Sequence, residues 1–203
     1  MVTKPATELV IVGGTPALDL ANTFDGPRDA PITGDFLRDY DELVAWAVHA
    51  GVIDAAVAAR LAAGGGDGAR AARVFARVAD LRAAIDAAFR AIANGGRPPD
   101  AALAAILTAE ADALAHGRLA RVAGGFELTW DGAEPERVLW PLAHDAGELL
   151  RHGQLERIKV CVECRWMFLD ASRNHSRRWC SMNECGGRLK MQRYRARRAT
   201  AGR

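Results

Sequence analysis

CVECRWMFLDASRNHSRRWCSMNEC, residues 161–185, contains all four cysteines of the 203-residue chain. Cys161 and Cys164 form a C-x2-C pair, and fifteen residues separate it from the C-x4-C pair Cys180 and Cys185. Two close pairs at that separation are the pattern of a zinc site, because short spacers let two sulfurs reach one ion at ~2.3 Å each. Four thiolates fill a tetrahedron and leave no position for water, so the expected site is structural and holds one Zn2+. The competing readings are two disulfides, or four unrelated thiols. His175 is a further donor in principle, although four sulfurs already satisfy zinc. Between the pairs, Arg165 to Asp170 reads as a strand with Trp166 and Phe168 on one face, and Trp179 is expected to cover the cluster. A mini-core is the preferred role for these aromatics, ahead of base stacking.

Downstream, Gly186-Gly-Arg-Leu-Lys-Met-Gln-Arg-Tyr-Arg-Ala-Arg-Arg198 is dense in cations and, from Arg188, in good helix formers. Arg188, Gln192 and Arg195 share one helical stripe; Lys190, Arg193 and Arg197 share the next. The loop between the cysteine pairs adds Arg173, Arg177 and Arg178. Arginine donates two hydrogen bonds from a planar fork and so suits phosphate and guanine edges. The expected nucleic-acid surface is therefore Arg173, Arg177, Arg178, Arg188, Lys190, Arg193, Arg195, Arg197 and Arg198. The alternatives are a solvated tail and a face that pairs with acidic protein.

Upstream the balance reverses. Residues 1–150 carry 13 Lys and Arg against 21 Asp and Glu, a net charge of −8; residues 151–203 carry 14 against 4, a net of +10. Ionising four thiols on zinc reduces the second value to about +8. The split predicts two modules, 1–153 and 154–203, with Gly153-Gln154 as the joint. Val44 to Ala63 is interrupted by His49, Asp54 and Arg60, so no membrane span is expected. The N-terminus lacks the pattern of a signal peptide, and a cytoplasmic protein with reduced thiols is expected.

The first module reads as helix-rich. Glu8 to Val12 is expected to be a short buried strand closed by Gly13-Gly14, and Thr15-Pro16 opens a helix to Thr23. Asp35 is expected to cap a second helix through Ala50, and Asp54 a short third one. A long helix over about Ala69 to Ala93 carries the stripe Val74, Val78, Leu81, Ile85 and Phe89, and another runs from Asp100 to His116. Arg118 to Ala123 and Phe126 to Trp130 predict a β-hairpin on Gly124-Gly125, and Pro141 to His152 a last helix. The fold class is thus α+β: a helix-rich domain with a short strand and a hairpin, then a small four-cysteine zinc-finger module ending in a basic helix.

The order Cys161-x2-Cys164-x-Trp166-x-Phe168-x-Asp170-x-Ser172-x-Asn174-x-Ser176-Arg-Arg-Trp-Cys180-Ser-Met-x2-Cys185-Gly resembles the CGNR zinc-finger family. Gly13-Gly14 through Leu18-Asp19-Leu20-Ala21-Asn22-Thr23 resembles the ABATE domain that precedes it. The resemblance implies a stress-induced transcription regulator whose N-terminal domain senses a small molecule. One departure stands out: the family's Cys-Gly-Asn-Arg is Cys185-Gly186-Gly187-Arg188 here, which removes an amide able to bond a base.

Gly13-Gly14 is read as a turn before an anion cradle. Asp19, Asn22 and Arg82 are the candidate pocket residues, with Asp19 the expected partner of Arg82, since a lone buried charge is costly. No nucleophile–base arrangement is evident and no enzyme is expected. The function expected is zinc-dependent DNA binding by a transcription regulator, its N-terminal domain sensing an effector or forming a homodimer. RNA binding and a protein-interaction module are the alternatives.

Overall fold

The computed structural model describes residues 4–63, 68–191 and 198. Its frame is the long helix that the apolar stripe of Val74 to Phe89 demands. This helix, Gly68–Ala93, buries Val74, Val78, Leu81, Ile85 and Phe89 on one side. In chain order the elements are α1 (Pro16–Ala21), β1 (Phe24–Asp25), β2 (Gly34–Asp35), α2 (Tyr40–His49), α3 (Ala55–Ala63), α4 (Gly68–Ala93), α5 (Asp100–His116), β3 (Arg118–Val122), β4 (Gly125–Thr129), α6 (Leu139–His152), β5 (Ile158–Val160) and β6 (Met167–Leu169). α4, α5 and α6 pack on one another, α1 lies against α4 and α6, and α2 with α3 flanks α4. Among the described residues the strands form three separate antiparallel pairs. No helix among the described residues is long and apolar enough to cross a membrane.

Local chemistry sets several helix starts. Thr15 caps α1 by accepting from Leu18 N, with Pro16 in the first turn. Asp54 Oδ1 accepts from Val57 N at 2.7 Å, as a cap should. α6 starts at Leu139, two residues before Pro141, which fits a helix's first turn. β3 and β4 form the expected hairpin, turning at Ala123-Gly124 with Val122 opposite Gly125, one residue earlier than the double glycine suggested. Trp130 seats it, donating its indole N–H to Ala113 O at 2.7 Å.

Two expectations are corrected. Residues Glu8 to Val12 are not a strand. Ala6–Glu8 is a 3-10 turn, and Val10 and Ile11 are 40% and 39% exposed. A strand requires a neighbour for its backbone, and here Val12 N instead donates to the Asp19 carboxylate at 3.0 Å. Helix α2 begins at Tyr40, capped by Asp39, rather than at Asp35. Asp35 lies in β2 and takes both guanidinium nitrogens of Arg82 at 2.7 Å. Arg82, mid-way along α4, also donates to Thr23 Oγ1 and lies over the Phe24 ring at 3.8 Å.

The C-terminal segment shares the main core. Ile158, Val160 and Met167 belong to the same buried cluster as the helices. Val160 pairs with Met167 and Ile158 with Leu169, so one face of the β5–β6 ribbon turns to α1 and α4. The alternate residue Phe168 joins Cys161, Cys180 and Cys185 in a second cluster.

Candidate metal centre and its surroundings

Zinc at ~2.3 Å from each of four sulfurs places those sulfurs about 3.8 Å apart along a tetrahedron's edges. The Sγ atoms of Cys164 and Cys180 are 3.7 Å apart, and those of Cys180 and Cys185 are 3.6 Å apart. All four sulfurs lie within 4.8 Å of one another, and all four cysteines are free thiols. The donor set therefore has zinc's geometry and excludes the disulfide alternative. Its electrostatics ask for a cation. A hydrogen bond to Cys161, mutual repulsion and burial push the Cys164 and Cys180 thiols up, and burial does so at Cys185. Cys161, which accepts from the Cys164 and Cys180 thiols, is pushed far down. Four thiolates so close together require a divalent ion to neutralise them.

The knuckle is held by its own loop. Asp170 is fully buried and accepts from Lys159 Nζ at 2.6 Å, Ser172 N at 3.0 Å and Arg177 N at 3.1 Å. Burial would raise this carboxyl, but these donors win and hold it well below the usual range. Arg177 Nε donates to Trp179 O at 2.9 Å, its other end to Cys180 O, and its guanidinium lies over the Phe168 ring at 4.4 Å. Arg177 is thus a brace within the knuckle. Arg173, Arg178, Arg188 and Lys190 are exposed around it. After Cys185 the chain is helical through residue 191. Arg193, Arg195 and Arg197 lie outside the described residues, and Arg198 is exposed.

The three candidate pocket residues are all buried and each bonds to protein partners, while Asp19 also lines a cavity of about 440 Å³. Asp19 does not reach Arg82; its Oδ1 accepts from Val12 N at 3.0 Å and Gly13 N at 2.7 Å. Burial, only partly opposed by these N–H donors, raises its carboxyl above the ordinary value. Asn22 spans the strand edge of the knuckle, donating to Met167 O and accepting from Met167 N, both at 2.8 Å. Gly13 O accepts from Leu169 N at 2.8 Å. Gly14, at φ +86°, presses so near Leu169 that an added Cβ would sit 3.2 Å from its Cβ. The turn Gly13-Gly14 and the amide of Asn22 therefore dock the zinc ribbon. Trp166 Nε1 adds a bond to Phe24 O at 2.8 Å, and Arg165 an ion pair to Asp86 at 3.3 Å.

Family relationships agree with this two-part architecture. Residues 14–153 match the ABATE family, described as "Putative stress-induced transcription regulator", and residues 157–198 match the CGNR zinc finger. The chain belongs to the ABATE family. No curated protein matches it. The zinc finger of this ABATE protein holds one structural Zn2+ through Cys161, Cys164, Cys180 and Cys185.

Two other features border the knuckle or resemble it. A cavity of about 460 Å³ lies where the halves meet, walled by Leu9, Phe36, Trp166, Cys164, Cys180 and Cys185 among others. A second donor group, Glu110, His144 and Glu148, converges between α5 and α6. There the Arg151 guanidinium already occupies both oxygens of Glu110, and a metal cation would have to displace it. Sequence reasoning missed Arg28, whose Nη1 donates to Val160 O and Cys161 O at 3.2 Å each. It lies in a Pro- and Gly-rich loop with no periodic signal.

Proposed function

We propose that this ABATE protein is a zinc-dependent DNA-binding regulator, in which the zinc finger contacts DNA and the ABATE domain controls it. The observation that carries the reading is the exposure of Arg173, Arg178, Arg188 and Lys190 in and next to a metal-stapled knuckle. The Lys159–Asp170 ion pair removes one cation and one anion alike, so the net positive charge of this half is unchanged by it. Arg193, Arg195 and Arg197 extend the same basic run in sequence. Zinc's part is to hold the loops that carry these cations.

Control by an effector is supported by the cavity between the halves, since a molecule there would touch both the ABATE domain and the start of the basic helix at Arg188. Control by dimerisation is supported by the large apolar side chains left exposed on α5 and the hairpin: Leu107, Leu114, Leu119 and Phe126. Sedimentation across micromolar concentrations separates the two.

The decisive experiment is binding of zinc-loaded protein to fragmented genomic duplex DNA, titrated with salt, with RNA of matched length as competitor. Steep salt dependence, enrichment of particular fragments and loss on chelation are expected. Preference for the RNA competitor would turn the reading to RNA. Absence of binding to either at physiological salt would turn it to a protein partner.

A further inference from the structure

A notch of about 380 Å³ opens beside the knuckle, lined by Arg28, Lys159, His175, Ser176, Arg177 and Arg178 among others, with no carboxylate in its lining among the described residues. We infer that it seats a backbone phosphate of the bound nucleic acid, and that Arg28, from the ABATE domain, is part of the nucleic-acid interface. The inference rests on the nucleic-acid reading above and extends it from the zinc finger to both halves of the chain.

Three of the four cations are fixed before any ligand arrives. Arg28 is tied to the carbonyls of Val160 and Cys161, Lys159 to Asp170, and Arg177 to the carbonyls of Trp179 and Cys180. Their side-chain entropy is already lost, so a phosphate meets a preformed field. Arg178 is exposed over the Trp179 ring at 5.8 Å and supplies an adaptable fork. Two carboxylates oppose the four cations. Asp170 lies beneath Lys159, while Asp29 meets Arg28 Nε at 3.6 Å and is 90% exposed, a weak and solvent-screened competitor. A surplus of positive charge therefore remains for an anion. A free phosphate gains the notch alone. A nucleic-acid backbone gains it together with Arg173, Arg188 and Lys190, which favours the polymer.

The test is duplex-DNA binding by anisotropy across a salt series, on full-length zinc-loaded protein, with zinc content and unfolding midpoint measured for each variant. Arg28→Ala and Arg178→Ala are expected to weaken binding about 5- to 20-fold, each flattening the log–log salt slope by about one unit. Asp29→Asn, which removes the competing carboxylate at an exposed site, is expected to tighten binding a few-fold. If Arg28→Ala sheds zinc because its carbonyl bonds are lost, Asp29→Asn and Arg178→Ala still decide the matter. Inorganic phosphate at millimolar concentration is expected to leave the unfolding midpoint unchanged. Unaltered affinity and slope in zinc-replete Arg28→Ala, or in both Asp29→Asn and Arg178→Ala, overturns the notch while leaving the function intact. So does tight inorganic-phosphate binding that Arg28→Ala abolishes without affecting DNA. Failure of the wild type to bind DNA removes both readings.

Discussion

Asn22 donates through its amide nitrogen and accepts through its oxygen at the two backbone groups of Met167, 145 residues away. Replacing it by Ala leaves a buried N–H and a buried C=O without partners, each costing about 1–3 kcal/mol. Asn22→Ala is therefore expected to lose about 2–4 kcal/mol of stability in denaturant unfolding with zinc present. A loss under about 1 kcal/mol would mean that water replaces the amide. Gly187 is the opposite case. It has helical backbone angles, and an added Cβ would meet only Met182 O, at 3.5 Å. Gly187→Asn, which restores the residue of the CGNR pattern, is expected to fold and bind zinc normally. A change in which DNA fragments are enriched would assign base contact to that position; unchanged enrichment would assign it none.

Among the elements, the loop between the cysteine pairs separates two arginines that look alike in sequence. Arg177 braces the carbonyls of Trp179 and Cys180, whereas Arg178 is exposed. Arg177→Ala is expected to weaken zinc retention in a chelator competition, and Arg178→Ala to leave it unchanged. Equal zinc retention by both would refute the division. The α5–α6 contact carries a pH signature. Glu110 is buried, and its hydrogen bonds from Arg151 outweigh burial and lower its carboxyl. A lowered folded value means stability that is full above the unfolded carboxylate value of ~4.3 and lost as pH falls through the folded one. In Arg151→Ala the buried carboxylate keeps only the His144 contact at 3.5 Å, and with burial then dominant its value is expected to rise instead. That variant is expected to lose about 2 kcal/mol at neutral pH, the scale of hydrogen bonds to a charged group from a partly exposed arginine. It should also become less stable as pH rises from about 4, opposite to the wild type. Thermal unfolding between about pH 3 and 7 checks the sign.

At the scale of the whole molecule the zinc ribbon packs into the helical core. Ile158, Val160 and Met167 bury with the helices, while Phe168 buries with the cysteines, so the two clusters share one strand. Removing zinc should therefore lower the unfolding midpoint of the helices as well as melting the knuckle. Metal analysis is expected to give one zinc per chain. Chelation that leaves the helical midpoint unchanged would show that the halves unfold independently.

Whatever depends on spacing within one stretch of chain could be read directly from the residues. The zinc ligands were legible because x2 and x4 spacers constrain two sulfurs to one ion. The apolar face of α4 was legible because a helix repeats about every 3.6 residues, and the hairpin because its period changes to two. Helix starts were legible where a capping side chain sits at the boundary, as at Thr15 and Asp54; Asp35 misled because Asp39 offered the same chemistry four residues on. The partners of side chains that act across long separations emerged only in the folded chain. Arg82 chose Asp35 over Asp19, Asn22 became a clasp for β6, and Arg28 reached the zinc knuckle 132 residues further along. Each of these is a buried or half-buried polar group whose partner must be close in space, and no periodicity along the chain encodes that closeness.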